Sequence, residues 1–164
     1  MDPRAIAALE PWRSLIDDAA RRHDIDANWL AAVVLTESSG DPWAIRVERG
    51  FWRRYRDGIR RWVRSTPTRN DDRWSKYPDL YAASYGLAQV MLQTAVEAGF
   101  EYRYPTELLD PARNLDISAR ILSRHLRRTG TWPAALLRYN GGGDPAYPDR
   151  VRASLHALGV SDAR

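Results

Sequence analysis

The chain has 164 residues, 44% apolar and 28% charged, with 25 Lys+Arg against 21 Asp+Glu, a net charge of +4. A length of this order suggests one domain, residues 1–164, able to hide roughly two-thirds of the surface of its unfolded chain. The composition excludes a disordered polymer, no apolar run reaches the ~18 residues that span a bilayer, and the absence of cysteine excludes disulfides and thiolate zinc sites.

The N-terminal stretch MDPRAIAALEPW lacks the basic start and apolar core of a secretory signal. A chain delivered to its target by other means, a domain of a longer protein, or a chain without its leader would read this way. "EPWRSLIDDAARRHD", Glu10 to Asp24, predicts a helix with Pro11 in its first turn and Leu15, Ile16, Ala19 and Ala20 as its apolar side. "DIDANWLAAVVLTES" predicts the second helix, with Asp26 as N-cap. "GFWRRYRDGIRRWVRS", Gly50 to Ser65, has helical spacing and is rich in aromatics and arginine, and Thr66 to Leu80 carries the Pro, Asn and Asp signals of a loop. Gly86 to Phe100 predicts a helix after its first residues.

"DPARNLDISARILSRHLRRTG" is the clearest helix, with Asp110 as cap, Pro111 at the first position and Gly130 at the end. Leu115, Ile117, Ile121, Leu122 and Leu126 give its buried side. A short helix in Thr131 to Gly143 runs into glycines, and Asp144 to Gly159 predicts a last helix. The only strand expected is a small hairpin between Val47 and Ser84, so the fold class is all-α or nearly so. The three histidines, His23, His125 and His156, have no metal spacing, and neither metal nor cofactor is expected.

One residue breaks the pattern. On the second helix the apolar positions Leu30, Val33 and Val34 lead by helical spacing to position 37, which is Glu37. Burial disfavours a carboxylate and raises its pKa, and the negative end of the helix acts in the same direction. A carboxyl that keeps its proton near neutral pH is what a general acid requires. The competing reading is a helix rolled so that Glu37 meets water or an arginine.

Four blocks in order resemble the lytic transglycosylases related to goose-type lysozyme. "TESSGDPWAIR" is similar to their catalytic block, and "SYGLAQVM", from Ser84, to their Gly-Leu-Met-Gln block with Ala88 in place of Met. "NLDISARIL", from Asn114, resembles the block on the central helix, with Ser118 for Gly and Ile121 for Tyr. "LLRYNGG", from Leu136, resembles the Ala-Tyr-Asn block with Arg138 for Ala. The resemblance implies a lysozyme-like helical domain that cleaves peptidoglycan glycan strands at the β-1,4 bond between N-acetylmuramic acid and N-acetylglucosamine. It implies Glu37 as the catalytic acid and base, with substrate contacts from Ser38, Gly86, Leu87, Gln89, Tyr139 and Asn140. Tyr139 is expected to bond or orient the acid. The chain departs from compact members in the expanded stretch Val47 to Ala83, which places about 45 residues between Glu37 and the Ser84 block.

Two outcomes stay open. One acid suffices for a transglycosylase that closes a 1,6-anhydro ring, whereas a hydrolase needs a second carboxylate for water. Asp41, Glu48 and Asp57 are available; Asp41 before Pro42 reads as a turn residue, which leaves Glu48 as the candidate auxiliary acid. The arginine-rich segment fits either a solvated amphipathic helix or a surface for an anionic polymer. A monomer acting at the bacterial cell wall is expected, without a nucleic-acid partner; a wall-binding module without catalysis and a nucleic-acid binder are the rivals.

Overall fold

A computed structural model describes residues 2–65 and 74–161, with the side chain of Ser75 left aside. Asp2 starts helix α1 (Pro3–Leu9), accepting from the Arg4 amide at 2.9 Å, and its own amide donates to the Ala157 carbonyl at 2.6 Å. The sequence reading assigned no element here. Leu9 and Ala5 are buried, so this short helix is a lid on the core rather than a loose end. A 3₁₀ turn, Glu10–Trp12, leads into α2 (Arg13–His23), and so the helix starts three residues later than expected. Asp24, at φ +54°, ends it.

Helix α3 (Ala27–Ser38) is capped by Asp26, which accepts from the Asn28 amide at 2.8 Å. The expected single apolar stripe understates it. Every residue from Trp29 to Val34 is buried, so α3 is apolar all round and runs through the core. Helices α1 and α2 pack against it, as does α8 (Tyr147–Ala157). Helix α6 (Pro111–Thr129) is the second long core helix, with Asp110 accepting from the Arg113 amide and Gly130 closing the end at φ +76°. It packs on α2 and on α7 (Trp132–Tyr139), which in turn contacts α8.

The expected hairpin is a three-stranded antiparallel sheet in the order β1 (Ile45–Val47), β2 (Ala83–Tyr85), β3 (Val90–Met91). Ile45 pairs with Tyr85, Val47 with Ala83, and Ser84 with Met91. Between β1 and β2 the chain makes α4 (Arg49–Ser65) and the 3₁₀ turns Trp74–Lys76 and Pro78–Ala82. Part of the loop expected from Thr66 to Leu80, namely 66–73, lies outside the described residues. The helix expected after the first residues of Gly86 to Phe100 is the short α5 (Leu92–Glu97). Gly86 at φ +71° and Gln89 at φ +46° make a tight turn into β3.

Candidate active site

Glu37 lies in the last turn of α3, which Ser39 ends at φ +54°. Its side chain is 11% exposed. The Tyr147 hydroxyl donates to Oε1 at 2.7 Å and the Arg46 guanidinium donates to Oε2 at 3.0 Å. Burial pushes its pKa above the usual carboxylate value; the bonds from Tyr147 and Arg46 and the charge of Arg150 pull the other way without cancelling it. The expected burial of Glu37 is therefore present, and so is the arginine partner of the competing reading.

Arg46, on the edge strand β1, is itself 55% exposed. Its Nε also lies 3.4 Å from Glu48 Oε1, so one guanidinium stands between the two carboxyls. Glu48 therefore faces a cation rather than Glu37 directly. Asp41 takes the turn role expected of it, accepting from the Trp43 amide at 2.9 Å. Asp57 lies on α4 beside Arg60 and Arg56. Trp43, Ile45 and Val47, all more than half exposed, surround Arg46 in sequence and give this rim large apolar surfaces.

Ser38, Tyr139 and Gln89 converge on one short segment, Gly86–Gln89, and hold it by its backbone. Ser38 Oγ donates to the Leu87 carbonyl at 2.7 Å and accepts from the Gly40 amide at 3.2 Å. The Tyr139 hydroxyl donates to the Ala88 carbonyl at 2.8 Å, and so it does not bond the acid as expected. Burial and the charge of Glu37 keep that hydroxyl protonated. Gln89 Nε2 donates to the carbonyls of Ala44 and Gly86, both at 2.9 Å, which leaves its amide oxygen to offer elsewhere.

Two expectations are corrected here. Leu87 has no exposed surface and is a core residue, not a sugar contact. Gly86 was expected to let the chain approach a sugar. A Cβ at that position would instead lie 2.7 Å from Asn114 Nδ2 and 2.9 Å from the Leu108 carbonyl, so the close approach is internal. Asn140 ends α7, with Gly141 and Gly142 folding back on the carbonyls of Arg138 and Leu137. Its half-buried side chain makes no hydrogen bond among the described residues, which leaves it open to a ligand.

Three residues of this architecture carried no assigned role in the sequence reading. Tyr147 follows the glycine run in "DPAYPDR", where nothing local marks it as a donor to Glu37. Arg46 stood inside the catalytic block among many arginines. Asn114, fully buried on α6, donates to the carbonyls of Tyr85 and Leu108 and accepts from the Ala88 amide. An unbroken set of three bonds on a buried amide is a hub, and its one visible sign was an asparagine on the apolar side of a helix.

A mostly helical domain with a small sheet and a desolvated glutamate at the end of its core helix is consistent with a lysozyme-like fold. The chain matches the Transglycosylase SLT domain family over residues 14–147, most of its length, and it belongs to that family. It is also 28% identical over 159 residues to a protein of Enterobacteria phage PRD1 named "Transglycosylase", covering 92% of this chain. The chain spans 45% of that relative's length. No solved structure matches it.

Proposed function

We propose that the chain is a peptidoglycan lytic transglycosylase in which Glu37 is both acid and base. The observation that carries this reading is the state of Glu37, a nearly dry carboxyl with a raised pKa at the end of the core helix, where the family resemblance places the acid. The protonated carboxyl gives its proton to the glycosidic oxygen between N-acetylmuramic acid and N-acetylglucosamine. The bond from that oxygen to C1 of the muramic residue breaks, and positive charge develops at C1. The Glu37 carboxylate then removes the proton from the C6 hydroxyl of the same residue. O6 closes on C1, which gives a 1,6-anhydro ring and returns Glu37 to its acid form.

Tyr147 and Arg46 suit the second half of this cycle, because both donate to the ionised carboxylate. Arg46 must move off Oε2 before the acid half, and its exposed position on an edge strand permits that. A hydrolase would need Glu48 to direct water at C1. The guanidinium of Arg46 beside Glu48 favours the one-acid route. The family and the phage relative support a wall substrate; we take residues 1–164 as one catalytic unit acting as a monomer at the bacterial cell wall. Mass spectrometry of digested wall material tests the reading. Anhydro ends are expected, and reducing muramic ends from the wild-type chain would assign the hydrolytic route instead.

A further inference from the structure

The positive charge of the chain is concentrated in one helix. Within α4 there are seven arginines and a single acid, Asp57, whereas the rest of the chain holds 18 Lys+Arg and 20 Asp+Glu. Without α4 the chain would be slightly acidic, so its basic character is not a general solubility device. Five of the arginines, Arg49, Arg53, Arg56, Arg60 and Arg64, recur at i, i+4, i+7, i+11 and i+15. That spacing aligns them on one stripe of about 22 Å at 1.5 Å per residue. All five are exposed.

The adjoining face holds the helix to the protein. Ile59 and Val63 are buried, and Trp62 meets Tyr81 edge-on at 5.7 Å, on the turn Pro78–Ala82. Trp52, half-buried, and Tyr55, 46% exposed, lie on this packed side, with Arg60 over the Trp52 ring at 5.7 Å and Arg54 over the Tyr55 ring at 5.5 Å. Asp57 offsets the stripe only at Arg60 (3.6 Å) and Arg56 (3.9 Å); among the described residues no carboxylate faces Arg49, Arg53 or Arg64. Like charges one turn apart repel and weaken a helix, so the stripe is kept at a cost to stability.

Its position says what it faces. Arg46, which bonds Glu37, lies three residues before Arg49, and the Glu48 carbonyl accepts the Trp52 amide at 2.8 Å in the first turn. The stripe therefore begins within a turn of the arginine that bonds Glu37. We propose that α4 is a docking surface for the acidic peptide stems of the same wall polymer whose glycan lies over Glu37. This rests on the wall-polymer reading of the site. Guanidinium groups pair with carboxylates through two parallel hydrogen bonds, which matches the free carboxylates of the stems. A membrane is a poorer fit, because an interfacial helix inserts its apolar face and that face is already buried here. A nucleic-acid duplex would meet the same cations but has nothing to bring it to the rim of this cleft.

The test compares Glu37→Gln with the same chain carrying Arg53→Gln, Arg56→Gln and Arg64→Gln, by binding to purified stem-bearing glycan strands and to strands stripped of stems by an amidase. The triple change should weaken binding to stem-bearing strands roughly tenfold, the size expected for three exposed ion pairs. It should flatten the salt dependence and leave binding to stripped strands unchanged. Circular dichroism of both proteins checks that α4 stays folded. Equal binding of both proteins to stem-bearing strands overturns the proposal. So does a loss that appears only with phosphatidylglycerol vesicles or duplex DNA. In the Glu37-containing background the triple variant should keep full turnover on stripped strands. A wild-type chain that binds stems through α4 yet cleaves neither strand would leave docking standing and refute the enzymatic reading.

Discussion

The hydroxyl of Tyr147 reaches Glu37 Oε1 at 2.7 Å across 110 residues of sequence, joining the N-terminal turn of α8 to the last turn of α3. Tyr147 is buried, and burial together with the charge of Glu37 keeps its hydroxyl protonated far above neutral pH, so it is available as a donor to the carboxylate. It therefore stabilises the ionised form of the acid. In Tyr147→Phe the pKa of Glu37 rises further, and the alkaline limb of the pH–rate profile moves to higher pH. Turnover falls roughly ten- to hundredfold, the worth of one hydrogen bond to a charged group. An unmoved limb would mean that this contact does not tune the acid.

Arg46 and Glu48 should shift the same limb in opposite directions. Removing the cation in Arg46→Ala takes away the second group that favours the Glu37 carboxylate, and the limb moves up. Glu48→Gln removes the competitor for Arg46, which then pairs more fully with Glu37, and the limb moves down. The Glu48→Gln profile also tests the auxiliary role. A shifted but active enzyme fits the one-acid route, whereas loss of turnover at every pH would make Glu48 a participant in the chemistry.

The buried acid has a stability consequence with a definite sign. A carboxyl whose folded pKa lies above its unfolded value favours the folded chain fully below the unfolded value, and that advantage is lost as pH rises through the folded one. Glu37→Gln abolishes this dependence. Its thermal midpoint should match the wild type at or below about pH 4 and exceed it at pH 8. Equal midpoints at both pH values would show that the carboxyl is not desolvated in solution.

What the sequence disclosed follows from how local the cause was. Caps at Asp26 and Asp110 and the stop at Gly130 depend on neighbours within a turn, and the helices they bound lie close to where they were expected. The placement of Glu37 on an apolar helix was legible for the same reason, although α3 is apolar all round. The form of the turn at Gly86–Gln89 was not legible because its determinants come from afar: Asn114 from α6, Ser38 from α3 and Tyr139 from α7 all bond to its backbone. Tyr147 and Arg46 escaped notice because only folding brings them to Glu37. The family blocks contain several residues whose bonds in the fold are internal. Ser38, Gly86, Gln89 and Tyr139 build the support on which the acid is presented.

That support can be tested by stability alone. Asn114→Ala leaves the Tyr85 and Leu108 carbonyls and the Ala88 amide without partners in the core. At about 1–3 kcal/mol for each unsatisfied buried group, the loss should be at least about 3 kcal/mol in denaturant unfolding. Gly86→Ala meets both the positive φ and the atoms of Asn114 and Leu108, and should lose about 2 kcal/mol or more. If either variant unfolds like the wild type, the turn is not held as described.

The central claim is that one carboxyl, that of Glu37, moves the proton both ways. Its most direct test is digestion of purified wall by the wild-type chain and by Glu37→Gln, with wall binding measured alongside and the released fragments weighed. The account predicts 1,6-anhydro fragments from the wild type and none from Glu37→Gln, which still binds. Undiminished release of the same fragments by Glu37→Gln would contradict it.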